Sequence, residues 1–284
     1  MFAGFGGGLS WSQMAGRTVR QIQADRCFGL AAQLAFYFVL ALFPAMLILL
    51  ALIAYLPIEN AMDGLLLAIG SVAPRELVAL LRDQMNQISD DTQPGLLTVG
   101  ILGTLWSSSS GMVAIIDALN QVYAVAEWRP WWKRRLVAVA LSAALTVLIA
   151  AALVLGLVGP GVLAQAFERM AGQAPAELPW SVLRWPAMIG CVVLGADLVF
   201  YCAPNRPARW TWITPGAVLA AALWIAGSFA FRFYLGNLAD YAATYGAIGG
   251  AIVTMLWFYL SGLAILAGAE LNSVIEQRRP VPHS

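Results

Sequence analysis

An all-α membrane protein with six transmembrane helices is the fold class this sequence predicts, and three observations predict it. Hydrophobic residues make up 61% of the 284 and charged residues only 11%, a balance foreign to soluble domains. Uncharged apolar runs recur at about 20 residues or more, the length a helix needs to cross a hydrocarbon core of about 30 Å. When those runs are threaded through a bilayer, eleven of the 16 basic residues fall on one side. The runs are too long and continuous for barrel strands, which alternate over about ten residues.

Residues 1–29 read as a cytoplasmic interfacial segment. Trp11, Met14, Thr18 and Ile22 share one helical face, while Arg17 and Arg20 turn toward phosphates or water. The opening MFAGFGGGLSWSQMAGR lacks a charged region leading into a short apolar core, so a cleaved signal peptide is not expected. The transmembrane domain, 30–275, takes spans at 30–56, 95–119, 136–160, 182–203, 212–236 and 246–269, and 276–284 form a cytoplasmic tail. An external insertion, 57–94, places Leu77, Leu80, Leu81, Met85 and Ile88 at helical spacing behind Pro74, which describes an amphipathic helix on the outer surface.

Orientation follows from the arginines. Arg17, Arg20 and Arg26 precede the first span; Arg129, Lys133, Arg134 and Arg135 lie between the second and third; Arg206 and Arg209 lie between the fourth and fifth; Arg278 and Arg279 follow the sixth. The opposite side keeps Arg75, Arg82 and Arg169, with Arg184 and Arg232 near span ends. By the positive-inside rule both termini are cytoplasmic. Cys27, Cys191 and Cys202 fall within or near the membrane or on its inner side, so no disulfide is expected.

Four runs in order, ADRCFGLAAQLAFYFVLALFP (24–44), LWSSSSGMVAIIDALNQVYAV (105–125), APNRPARWTWITPGAVLAAALW (203–224) and YGAIGGAIVTMLWFYLSGLAILAGAELN (245–272), resemble the YihY/BrkB family of bacterial inner-membrane proteins. The resemblance covers nearly the whole chain. It implies a six-helix inner-membrane protein with cytoplasmic termini, from a family once named ribonuclease BN and linked to serum resistance, with no settled biochemical activity. Ser110 and Ala41 depart from the residues common in that family, basic and serine respectively.

Polar groups within the spans are the candidate chemistry, because lipid tolerates them poorly. Pro44 near the middle of the first span leaves the Leu40 carbonyl without its helical donor, so a kink that can line a cavity is expected. Ser107, Ser108, Ser109 and Ser110 sit near mid-membrane; Ser110, Asp117 and Gln121 share a face that runs toward the cytoplasm, with Asn120 beside it. The plainer account is close helix packing around Gly111. Asp197, about 10 Å inside the membrane, is expected to face the bundle and approach the first or second span. Together Pro44, Ser107–Ser110, Asp117 and Asp197 form the candidate cavity or translocation path. The repeated Leu-Trp-x-x-x-Ser-Gly spacing at Leu105 and Leu256 supports no internal repeat.

The sixth span carries a seam of Gly246, Gly250, Thr254, Trp257, Ser261, Gly268 and Asn272 for close packing. Glu270 lies nearly opposite that seam and reads as a carboxylate at the inner headgroup level, beside a basic loop such as Arg206 and Arg209. The alternative is a gate between cytoplasmic helix ends, drawing on Asn120, Asn205, Arg206, Glu270 and Asn272. WRPWWKRR, with Trp128, Trp131 and Trp132 among Arg129, Lys133, Arg134 and Arg135, mixes aromatic and basic residues as a single-strand nucleic-acid surface does. It also fits an inner interface on anionic lipid headgroups, which is the reading adopted, with no nucleic-acid partner. Arg232 can snorkel to the outer interface.

Three function classes follow. A transporter or exporter of an unidentified substrate accounts for the intramembrane polar groups. An envelope scaffold or lipid-handling protein is the alternative, and homo-oligomer formation is compatible with either. A ribonuclease is disfavoured, since its chemistry usually needs clustered metal ligands or an acid-base pair beside a nucleic-acid groove, whereas the one histidine, His283, lies in the C-terminal tail. No cofactor, metal or catalytic residue is expected.

Overall fold

The computed structural model describes residues 10–54, 78–79, 109–157, 180–207, 210–238 and 241–276. Its elements are helices: α1 (Trp11–Ala24), α2 (Cys27–Ala54), α3 (109–122), α4 (Trp131–Leu157), α5 (Trp180–Cys202), α6 (Pro215–Leu238) and α7 (Tyr241–Glu276). Four of them hold stretches long and apolar enough to cross a membrane: Trp131–Leu153, Arg184–Cys202, Pro215–Leu235 and Gly249–Glu276. Counting the bent pair of α1 and α2 as one span makes five. The expected second span, 95–119, is described only from residue 109, where it is helical. The external insertion 57–94 lies outside the described residues apart from 78 and 79.

Helix α1 starts at a capping box, in which Ser10 Oγ accepts from the Gln13 backbone N–H and the Gln13 side chain accepts from the Ser10 N–H. Met14 and Thr18 are buried and Ile22 half-buried, while Arg17 and Arg20 stay exposed, as the amphipathic spacing requires. Arg26 ends it in the left-handed region at φ 54. That conformation costs a side-chain-bearing residue about 1–2 kcal/mol, and it turns the chain by 65° into α2.

Helix α3 sits among the others. Ser109, Met112, Ala114–Ile116, Ala118–Asn120 and Val122 are all buried, so nearly every face is covered, which is what an apolar, all-round helix needs. Around it, α2 packs on α7, α7 on α6, α6 on α5, α5 on α4 and α4 back on α2, while α1 lies across α7 and α2. Gly111 brings α3 onto α2, where a Cβ would meet the Tyr37 carbonyl oxygen at 3.6 Å. The tightest approach is between α6 and α7. A Cβ on Gly216 would run into the Gly268 carbonyl oxygen, and one on Gly268 into that of Gly216. No side chain fits there, so the glycines set the crossing.

Two further seam residues, Trp257 and Ser261, face α6 too. Trp257 Nε1 donates to Ser228 Oγ (3.2 Å), and Trp224 Nε1 donates to Ser261 Oγ (3.1 Å). Each indole N–H thus finds a partner on the facing helix.

Candidate functional site

The polar side chains that tie the described helix ends and loops together gather at one end of the bundle, where α3, α5 and α7 finish and α2, α4 and α6 begin. Three groups of contacts make up that end.

The first ties α3 to the loops. A Schellman turn closes α3: Ala124 is left-handed at φ 51, its N–H donates to Gln121 O (3.0 Å), and Val125 N–H donates to Asn120 O (2.9 Å). The turn leaves the Asn120 side chain facing the α3–α4 loop, where Nδ2 donates to Glu127 Oε2 (2.9 Å) and Oδ1 accepts from Asn205 N–H (2.8 Å). Arg129 forks onto Glu127 at 2.8 and 2.7 Å and donates onward to Ala203 O (2.8 Å). The Arg129 side-chain bonds, with its backbone N–H and Asn120, hold the Glu127 carboxyl down from the usual 4.5 to about 2. Nearby, Arg206 pairs with Glu276 through both guanidinium nitrogens and covers the Tyr123 ring, 4.0 Å from its centroid. Burial pushes the Tyr123 phenol above its ordinary range. Ser273 Oγ donates to Val122 O (3.2 Å), and Gln121 Nε2 donates to Asp25 O (2.9 Å). These contacts put the 123–130 and 203–207 loops and the ends of α1 and α7 on the same side, in agreement with the charge pattern.

The second group surrounds Asp197, 2% exposed. It points into the bundle, but among the described residues its partner comes from the start of α6 and not from the first or second span. Thr214 donates to Asp197 Oδ1 from its backbone N–H (3.1 Å) and from its hydroxyl. Thr214 in turn caps α6, Oγ1 accepting from Ala217 N–H (3.2 Å) and from Asn272 Nδ2 (2.9 Å), and Asn272 Oδ1 accepts from Gly216 N–H (2.8 Å). The physical reason is the helix end: α6 begins inside the packed bundle, its first N–H groups lack helical acceptors, and a carboxylate suits the positive end of the dipole.

The third group holds Glu270, which is 0% exposed. Cys27 Sγ donates to its Oε1 (3.3 Å), while Oε2 has no hydrogen-bond partner among the described residues. The Asp25 carboxylate lies within interaction range of it. Arg206, expected beside Glu270, is paired instead with Glu276, and Arg209 lies outside the described residues. Helix α7 runs on past Ala269 to Glu276 and α1 folds across its end, so Glu270 is covered where an interfacial carboxylate would be open.

The remaining candidates scatter. Pro44 lies within α2 and its side chain is outside the described set, as are Ser107 and Ser108. Ser109 is buried, and Ser110 Oγ accepts from Arg135 Nη2 (3.2 Å). Asp117 is 47% exposed and pairs with Arg134 at 3.0 Å. Of the four cations assigned to lipid headgroups, Arg129, Arg134 and Arg135 make these protein contacts. Lys133 is exposed and stands over the Trp132 ring at 5.3 Å. Trp128, Trp131 and Trp132 are exposed alongside it. The three cysteines are free thiols, and among the described residues no group of three His, Cys, Asp or Glu is placed to hold a metal ion.

Sequence reasoning passed over Thr214, Glu127, Cys27 and Asp25. Thr214-Pro215 before an apolar run is a helix-start signature that marks the first. Glu127 two residues from Arg129 hinted at the second. Nothing local marks Cys27 or Asp25, which matter only because α7 arrives beside them.

Comparison with known proteins places this architecture. The profile of the family described as Virulence factor BrkB matches residues 18–284. The ribonuclease-like protein YfkH of Bacillus subtilis (strain 168) is 36% identical over 252 residues, 89% of this chain and 91% of that protein. A UPF0761 membrane protein of Xanthomonas campestris pv. campestris (strain B100) is 29% identical over 274 residues, and one of Xanthomonas axonopodis pv. citri (strain 306) likewise. The alignment covers 93% of this chain but 61% of each Xanthomonas protein, so the chain spans about three-fifths of their length. No solved structure matches. With a family match over most of its length and several membrane-length helices, the chain belongs to the BrkB family and is a multi-pass membrane protein.

Proposed function

We propose that this chain is an inner-membrane transporter or exporter of an unidentified substrate, with both termini cytoplasmic, and that the described end of the bundle is its closed cytoplasmic gate. The observation that carries the reading is Glu270: a carboxyl group buried among membrane-length helices with one oxygen unpartnered. A protein that needed only packing at this site would do better with an apolar residue, since a buried polar group without a partner costs about 1–3 kcal/mol. Function is the default explanation for an ionisable residue at such a place. The cross-links Asn120 to Asn205, Arg206 to Glu276 and Asn272 to Thr214 join helix ends that would separate when a gate opens.

The alternative is an envelope scaffold or lipid-handling protein, and Asp197 favours it. That carboxylate is engaged as a helix cap, and α3 fills the middle of the described end. The word ribonuclease belongs to the name of a relative, and nothing at Glu270 calls for phosphodiester chemistry. The test loads vesicles containing the purified chain with a bacterial small-molecule extract and identifies by mass spectrometry what leaves. At least one solute is expected to leave vesicles carrying the native chain and to stay in those carrying Glu270→Gln. Equal retention in native, variant and empty vesicles would exclude transport of the extract's solutes and leave the scaffold.

A further inference from the structure

Glu270 and Asp25 are neighbouring carboxylates at the bend between α1 and α2. Glu270 lies wholly inside, on the face of α7 covered by α1 and α2; Asp25 is half-buried at the 65° bend between those helices. The left-handed Arg26 forms the bend and turns its own side chain outward, so that the carboxylate of Asp25 and the thiol of Cys27 face Glu270. Gln21 Nε2 donates to Asp25 Oδ2 (3.2 Å) and Gln121 Nε2 to the Asp25 carbonyl (2.9 Å), fixing the bend from α1 and from α3.

The charge balance around Glu270 is one-sided. On the elements packed against it, Arg17, Arg20 and Arg26 are exposed, Arg206 is engaged by Glu276, and Arg134 by Asp117. Among the described residues, Asp25 and Cys27 are the titratable groups beside Glu270. Two carboxylates this close without a cation cannot both be charged at low cost, and an isolated charge in an apolar interior is the more expensive of the two. A hard metal cation would want a shell of several oxygen ligands, and a thiol is a poor partner for one. The occupant that suits one unpartnered carboxylate oxygen, one neighbouring carboxylate and a thiol is a proton.

We infer that Glu270 is a proton-binding site inside the bundle, loaded and emptied through Asp25 at the α1–α2 bend. On release the O–H bond at Glu270 Oε2 breaks, the proton joins the Asp25 carboxylate, and Asp25 passes it to water; loading is the reverse. Cys27 keeps its proton throughout and holds Oε1, so the carboxyl turns Oε2 toward Asp25. The inference deepens the transport reading by supplying a coupling ion, and it stands on the geometry of the site whether or not a solute is found.

Infrared difference spectroscopy of the purified chain in lipid tests it, with protons and deuterons as the only probes. Stepping the bath pH is expected to produce a carboxylic C=O band that disappears in Glu270→Gln. Its shift on transfer to heavy water should be slower by at least about tenfold in Asp25→Asn, with the band itself retained. The Cys27 S–H stretch should move when Glu270 changes state and be lost in Cys27→Ala. Sodium or potassium substitution at fixed pH should leave the band in place. A spectrum identical in native chain and Glu270→Gln overturns the site, a band displaced by sodium replaces the proton with a metal cation, and unchanged exchange in Asp25→Asn removes the route. A titrating band with no solute movement in the vesicle assay would fail the transport reading and leave the proton site standing.

Discussion

Asp197 and Glu270 are two carboxylates buried to nearly the same degree in membrane-length helices of one bundle, yet they have opposite surroundings. Asp197 has Thr214, whose N–H and hydroxyl both point at it, and behind Thr214 a helix start whose N–H groups are capped by Thr214 and Asn272. Glu270 has a thiol on one oxygen, no hydrogen-bond partner on the other among the described residues, and a second acid close by. The difference shows that depth alone does not mark a functional acid. What marks it is whether the fold supplies donors for both oxygens; where it does, the carboxylate is a fastener, and where it does not, the site is left with capacity for a proton.

The largest expected effect breaks the scaffold on which Asp197 depends. Gly216→Ala should destabilise the chain by about 3 kcal/mol or more, because its Cβ has backbone on the other side. Gly227→Ala, with nothing within 4 Å, should be neutral or gain up to about 1 kcal/mol. Thermal unfolding in detergent separates the two, and equal melting temperatures would remove the close crossing of α6 and α7. Next, Asp197→Ala should cost about 2–4 kcal/mol by leaving the Thr214 donors unanswered, whereas Glu270→Gln should change stability by less than about 1 kcal/mol, since Cys27 can still donate to the amide oxygen. If the Glu270 variant melts as early as the Asp197 variant, the contrast between fastener and proton site collapses.

Glu127 offers a third carboxylate, paired with an arginine. Its folded value lies below its ordinary one, so its contribution to stability is complete above pH 4.5 and is lost as the pH falls toward about 2. The native melting temperature should therefore drop across that interval more steeply than that of Glu127→Gln, and parallel curves would show the pair with Arg129 to be idle. Smallest of all, Arg134→Gln should cost less than about 1 kcal/mol, because the pair with Asp117 is substantially exposed. A chemical denaturation midpoint indistinguishable from native agrees with this, and a large loss would place Asp117 among the fasteners.

The α7 seam was legible in sequence because small residues at helical spacing leave one stripe where another helix can approach; Trp257, Ser261, Gly268 and Asn272 all meet α6. The face of α1 was legible for the same reason. Asp197 was identified as costly, but its partner was not, since Thr214 is 17 residues away across a loop. That Glu270 is covered was not legible, because rise per residue puts it past the end of an apolar run, and no local rule says that α1 will fold back over that end.

By itself the sequence determined the membrane class, the all-helical character of the described chain with several helices of membrane length, and the stripe by which α7 packs. These depend on composition and on periods of a few residues, which act before any long-range contact forms. Only the tertiary structure decided that Asp197 caps α6, that Arg206 belongs to Glu276, and that Glu270 meets Cys27 across 243 positions of chain. Whether a buried charge is satisfied depends on which distant groups arrive within about 3 Å of it, and that distance is set by the bend at Arg26 and the glycine crossing of α6 and α7, not by the residues beside the charge.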